Sequence, residues 1–263
     1  MAAALLMMNM HGVVCASSRD LTIFRYSEKI PLAIMVDPTS KFRWDDIIMA
    51  YQSKNSISSL STFKDVADDF SEFLTDFFNQ EDEDTLNKEC DKKIICVGYD
   101  PKGMFPQAAI FTMVGSDNGV IMNKDIQTID KQLTVFHKYL GKCANIRILS
   151  GGMSDDIKEQ LAQLCVDELG KVLGNIKVAE ELVCQYYDNL CDSLDKIQDD
   201  PQVTSAISDF TVKDMVAMAE NLIDTENLKH SNNENYKSSP TCEIGVVTMA
   251  EGFKWIKHSL YGV

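Results

Sequence analysis

The chain has 263 residues, 45% of them hydrophobic, and a formal net charge of −15. That hydrophobic share is ordinary for a globular protein and argues against a disordered chain. The excess of carboxylates, with no Lys/Arg cluster longer than Lys92-Lys93, excludes nucleic acid and anionic membrane surfaces as partners. No apolar run approaches the roughly 20 residues of a membrane span.

Met1 to Met10 is apolar, but it has no basic flank and no clear cleavage site, so it reads as a buried first strand rather than a signal peptide. Ala3 to Ala16, broken at Asn9 to Gly12, predicts a hairpin of two short strands. Leu21 to Tyr26 alternates loosely, and Pro31 to Val36 (PLAIMV) predicts a buried strand. Asp37-Pro38-Thr39-Ser40 is turn chemistry.

Helical period follows. Trp44, Ile47, Ile48 and Tyr51 share one face. A Ser-rich loop, Ser53 to Ser61, leads to a second helix with Phe63, Val66, Ala67, Phe70, Leu74 and Phe77 as a core stripe. Asp65, Asp68 and Asp69 on its other side read as a solvated face. Residues 79–93 read as an exposed polar loop. Strand patterns return at Ile94 to Tyr99, Ala108 to Val114 and Gly119 to Met122, with a turn over Asp100 to Gly103.

Lys131 to Tyr139 reads as a short helix, and Ile146 to Leu149 is an apolar run of either type. Helices are predicted over Asp155 to Leu173 and Asn175 to Ile197. Thr211 and Asp214 make a capping-box pattern opening another helix to Asp224. Its inward residues are Val212, Met215, Val216, Ala219, Leu222 and Ile223. Residues 225–240 read as an exposed polar loop, and a final strand pair covers Glu243 to Met249 and Phe253 to His258. Strands that pair across helical insertions imply an α/β (α+β) domain of two stacked, mainly antiparallel sheets with helices outside. The expectation is a single domain over 1–263.

Chemical motifs are sparse. Eight cysteines carry no CxxC pair, and several lie in apolar runs where thiols behave as small hydrophobes, which suits a reducing, cytoplasmic setting. The four histidines, His11, His137, His230 and His258, stand apart without metal-ligand spacing, so no metal is expected. Gly98 to Gly103 lacks the Lys-Ser/Thr of a phosphate loop, Gly151-Gly152 reads as a plain loop before a helix, and no GxSxG elbow exists. No cofactor is expected.

Several stretches in order resemble the proteasome-like N-terminal-nucleophile (Ntn) hydrolases, mainly their uncharacterised bacterial members. They are Ala2 to Ser18 (AAALLMMNMHGVVCASS), Pro31 to Phe73 with PLAIMV, WDDIIMAYQ and FKDVADDFSEF, Val97 to Gln107 (VGYDPKGMFPQ), and the tail with DMVAMAENLI and CEIGVVTMAEGFKWIKHSLY. Together they span a little over half the chain, and residues 123–208 match only in helix content. The resemblance implies a four-layer αββα sandwich. It also implies chemistry in which an N-terminal Thr, Ser or Cys attacks a carbonyl while its own α-amino group, of pKa about 8, serves as base. A nearby Asp and Lys adjust the nucleophile's proton affinity.

Carried onto this sequence, the resemblance places the nucleophile at Ala2, the Asp at Ser18, the Ser after it at Arg19, and the Lys near Thr22. None has the side chain the chemistry needs, and Arg25 and Lys29 are off the strand-end spacing for a substitute. The implied expectation is a catalytically silent protein, with no catalytic residue, that binds other protein subunits, its own copies or different chains. An active amidohydrolase or peptidase with a shifted nucleophile at Cys15, Ser17 or Ser18 is the alternative. An unrelated α/β interaction module is the third reading.

Overall fold

In the computed structural model the described residues are 3–19, 22–26, 30–54, 62–90, 92–100, 103–116, 119–141, 155–184, 186, 207–231 and 242–258. The predicted hairpin forms from β1 (Ala3–Asn9) and β2 (Gly12–Ser17), with Asn9 opposite Gly12 at the turn. Asn9 closes it: its Oδ1 accepts the His11 amide at 2.9 Å, and its Nδ2 donates to the carbonyls of Ile207 (2.9 Å) and Phe210 (2.8 Å). The side chain is fully buried and uses donor and acceptor alike.

Further along come β3 (Ile23–Arg25), β4 (Leu32–Val36), α1 (Trp44–Gln52), α2 (Phe63–Phe78) and α3 (Glu83–Glu89). They are followed by β5 (Lys93–Tyr99), β6 (Pro106–Ser116), β7 (Gly119–Thr128) and β8 (Val135–Gly141). After them lie α4 (Asp155–Leu173), a helical segment α5 over 176–184, α6 (Val212–Ser231), β9 (Glu243–Thr248) and β10 (Gly252–Lys257). Two five-stranded antiparallel sheets result, one ordered β10-β9-β2-β1-β8 and the other β3-β4-β5-β6-β7.

The sheets stack face to face. Leu6, Met8, Val13 and Cys15 of the first sheet share one buried cluster with Ala33, Met35, Ile95 and Val97 of the second. The far side of the second sheet carries Ile34, Val36, Cys96 and Phe111, packed on Trp44, Tyr51, Val66, Phe70 and Leu74 of α1 and α2. Edge and tilted ring contacts fill this layer, such as Tyr51 on Phe70 (centroids 4.7 Å apart) and Phe70 on Phe111 (5.4 Å). On the far side of the first sheet α6 lies over β1, β2 and β9, with Met215, Ala219 and Ile223 fully buried. The order of layers is therefore α1/α2, sheet, sheet, α6: an αββα sandwich.

Two glycines permit close approaches, one between a sheet and α6 and one within the second sheet. A Cβ on Gly12 would stand 2.8 Å from a Val212 methyl of α6. A Cβ on Gly98, whose φ is +156°, would stand 2.1 Å from the Pro31 carbonyl oxygen.

The helices are capped as their sequences allow. Thr62 and Asp65 form a reciprocal capping box on α2 (Thr62 N to Asp65 Oδ2 3.0 Å; Asp65 N to Thr62 Oγ1 3.1 Å). Asp65 is thus a cap, and Asp68 pairs with Lys124 of β7, so the face read as simply solvated holds two structural carboxylates. Thr211 and Asp214 close the box on α6, with Thr211 N to Asp214 Oδ2 at 3.0 Å and Asp214 N to Thr211 Oγ1 at 3.3 Å.

Three sequence expectations change. Residues 135–141 form strand β8 rather than a helix, because β1 offers a seven-residue pairing from Ala3–Gly141 to Asn9–Val135 that outweighs local propensity. An Asp130 turn sets up that strand, its carboxylate accepting the Gln132 (2.6 Å) and Leu133 (2.8 Å) amides. The polar segment 79–93 contains α3, capped by Asp82 on the Thr85 amide at 2.9 Å. Within 225–240, α6 continues to Ser231. Residues 232–240, the run Ile146–Leu149 and the end of the helix expected over 175–197 lie outside the described residues.

The chain forms two compact units, Met1–Lys142 with Ile207–Val263, and Cys143–Ala206. The sandwich is the first. In the second, α4 is followed by Gly174 at φ +66° and then α5, with Ala162, Val166 and Ala179 buried.

Two outcomes test this packing. Gly98→Ala should lower stability by about 1–3 kcal/mol, read from the urea midpoint, because the added methyl meets backbone. The Thr211 hydroxyl, then its amide, holds the Asp214 carboxyl below the usual carboxylate range. A depressed folded pKa stabilises above the unfolded value, about 3.9, and the gain is lost as pH falls through the folded one. Asp214→Asn should therefore melt below the wild type by a constant margin above pH ~5. That margin should shrink on acidification through pH ~4.

Candidate functional site

The end of the sandwich where β1 begins gathers most of the positions singled out in the sequence. Register puts Ala4 opposite Ser17, which sets Ser18 beside Ala3. Ser18 then takes both polar backbone groups of Ala3: its amide donates to the Ala3 carbonyl (2.9 Å), and its Oγ accepts the Ala3 amide (2.8 Å). Ala2 lies outside the described residues, as does Lys29.

Ser17 and Thr22 are buried. Thr22 Oγ1 lies 2.6 Å from Ser17 Oγ and 2.8 Å from the Arg19 carbonyl, while the Arg19 amide donates to Ser17 Oγ at 3.2 Å. The two hydroxyls satisfy each other and the Arg19 backbone, and neither touches a general base among the described residues. Cys15 sits deep in the cluster between the sheets, and burial, with Cys96 nearby, pushes its thiol far above the usual range. Cys96 itself is pushed up to about 12. Cys15 is therefore a neutral core thiol, whereas a nucleophilic cysteine needs thiolate character and access. Arg25 lies in β3, and its carbonyl accepts Gln52 Nε2 at 2.8 Å.

Two charged groups, Arg19 and Asp37, stand close by. Arg19 donates from one guanidinium nitrogen to the carbonyls of Pro38 (2.6 Å) and Ser40 (3.4 Å), clamping the turn after β4. In that turn Asp37 Oδ1 accepts the Thr39 amide (2.8 Å) and hydroxyl (2.5 Å), and Oδ2 accepts the Gly141 amide (3.1 Å) at the end of β8. One carboxylate thus ties the two sheets together. The sequence signal was present as an Asp-Pro-Thr-Ser turn, but nothing in it announced Gly141.

Opposite Ser17 on β9 is Glu243, fully buried. His258 Nδ1 lies 2.7 Å from its Oε1, and the imidazole stacks on Trp255 with centroids 4.2 Å apart. The β-bulge between Trp255 and Lys257 shifts the strand register just before His258. Spacing could not have found this pair, because the bulge displaces simple counting.

Among the described residues, no group of three or more His, Cys, Asp or Glu side chains could hold a metal ion, and no helix is long and apolar enough to cross a membrane. No protein-family model matches the sequence, and no curated protein matches it.

The Glu243–His258 contact carries its own test. Removing the imidazole takes away the 2.7 Å contact to a fully buried carboxylate, and its partial exposure limits the loss. His258→Ala should cost about 1–3 kcal/mol in chemical denaturation, and adding Glu243→Gln should recover most of it.

Proposed function

We propose that this protein is a catalytically silent relative of the proteasome-like Ntn hydrolases, acting in the cytoplasm as a binding or structural subunit of an oligomer or larger assembly. The αββα layering is the architecture that reading requires, and the resemblance puts an alanine, Ala2, where the nucleophile would belong. The observation that carries the proposal is the setting of β1. It lies between β2 and β8, buried along its whole length, and the Ser18 hydroxyl holds its first described amide.

The shifted-nucleophile alternative meets a physical obstacle there. Cleavage ahead of Cys15, Ser17 or Ser18 would excise β1 from the middle of its sheet. Leu5, Leu6, Met7 and Met8 would leave the core, at roughly 1.5–3 kcal/mol for each large side chain. Two strand edges would also open. A neutral, desolvated Cys15, a Ser17 hydroxyl bonded to Thr22 and a Ser18 hydroxyl bonded to the Ala3 amide offer little reward for that loss.

A silent subunit uses its surface rather than its strand ends. The strongly negative net charge favours protein partners over nucleic acid. Free, buried Cys15, Cys96 and Cys242 suit a reducing compartment.

Intact mass and N-terminal sequencing should give an unprocessed start, and β-lactone or epoxyketone probes should leave the protein unlabelled. Light scattering at micromolar concentration, with pull-down from the native host, should give a defined oligomer or a stable complex. A chain beginning at Cys15, Ser17 or Ser18 that takes up probe overturns the silent reading. A monomer with no partner overturns the subunit reading.

A further inference from the structure

Strand β7 is an edge of its sheet, ten residues long and in unbroken register with β6 from Gln107–Thr128 to Ser116–Gly119. Such an edge is a template for strand addition, and proteins blunt it by shortness, bulges or charge. At the other edge of this sheet β3 has only three residues, and β10 of the first sheet carries a bulge. The first part of β7, Gly119 to Met122, has none of these devices. It is uncharged, and Ile121 lies exposed opposite the exposed Val114 of β6.

Helix α2 covers that stretch. Ser71, Thr75 and the C-cap Asn79, four residues apart, share one side of the helix. Asn79 Nδ2 donates to the Val120 carbonyl at 3.0 Å, and its Oδ1 accepts the Val120 amide at 2.7 Å. Ser71 Oγ donates to the Met122 carbonyl at 3.1 Å, and Thr75 Oγ1 accepts the Met122 amide at 3.2 Å. The Thr75 hydroxyl places its own proton on the Ser71 carbonyl at 2.9 Å.

Both amides and both carbonyls that β7 turns away from β6 here are therefore taken, in the alternation that a neighbouring strand would use. From Lys124 onward charge takes over: Lys124 pairs with Asp68, again of α2, and Asp125 follows. The side-chain ladder thus covers the one part of β7 that no charge protects. Hydrogen bonds near the surface add little net stability, because water replaces them when they break. Their consequence lies in what they exclude.

We propose that Ser71, Thr75 and Asn79 form an autoinhibitory ladder that takes the place of a sixth strand and keeps a second copy of this chain from pairing there through its own β7. Two identical edges meet about a two-fold axis, which closes the assembly as a pair. An oligomer of the wild-type chain is then built from other surfaces. The ladder acts whether or not the chain is catalytic.

The full chain carrying Ser71→Ala, Thr75→Ala and Asn79→Ala together tests this by light scattering and hydrogen exchange. In the wild type the Val120 and Met122 amides should exchange about 100-fold or more slowly than unstructured amides. At micromolar concentration the triple variant should show about twice the wild-type mass and return to it on dilution. Its Val120 and Met122 amides should be protected only in the heavier species. Free exchange of both amides in the wild type overturns the proposal. So does a folded variant of wild-type mass, or a heavier species in which both amides exchange freely, because the copies then meet elsewhere. Should the triple variant fail to fold, Asn79→Ala, which frees only Val120, is read by the same two measurements.

Discussion

Strand β1 is the constraint on which the rest of the protein depends. It exchanges backbone hydrogen bonds with β2 on one side and β8 on the other, and both of its faces are covered, one by the second sheet and one by α6. A central strand dry on both faces has to be an uninterrupted apolar run, since any polar side chain would need a buried partner. Ala3 to Met8 meets that demand. The single polar residue, Asn9, sits at the turn where two carbonyls and an amide are ready for it.

At the opposite end of β1 the polar groups close on one another. Ser17, Ser18, Arg19, Thr22 and Asp37 make hydrogen bonds to backbone, to each other and to the Thr39 hydroxyl. Catalytic sites usually keep groups in reserve, with perturbed proton affinities and room for a reactant. Here the hydroxyls are committed to holding strand ends in register. The buried thiol beside them has been moved away from reactivity by loss of water. The bonds described at this end join strand ends and tie the two sheets together.

Much of this was legible in the sequence because local and tertiary demands agree. The apolar run of β1, the turn at Asn9 to Gly12, the Trp44 and Phe63 stripes and the Thr211–Asp214 box each specify their own element. The αββα order follows from how those elements alternate. Legibility ended where a distant partner decides the outcome. Residues 135–141 are a strand because β1 is there to pair with them, and α3 forms in a charged stretch because Asp82 caps it and Glu89 finds the Lys41 amide. Asp37 looked like part of an ordinary turn, since its contact with Gly141 spans 104 positions. The pairing of Glu243 with His258 depends on a bulge, which periodicity does not encode.

The unit that holds the sandwich is discontinuous: the chain leaves it after Lys142 and returns at Ile207, and α6 and β9 arrive only after that return. During synthesis β1 and β2 therefore emerge well before α6, and one face of each waits for a helix that follows a long intervening segment. For that interval a very apolar hairpin stands half uncovered, a species at risk of association with other nascent chains. The carbonyls of Ile207 and Phe210, docking on Asn9, mark the moment when this exposure ends. Lengthening or shortening the intervening segment should change the entropy of that closure only slowly, so the excursion between β8 and α6 is where the fold can best tolerate variation in length.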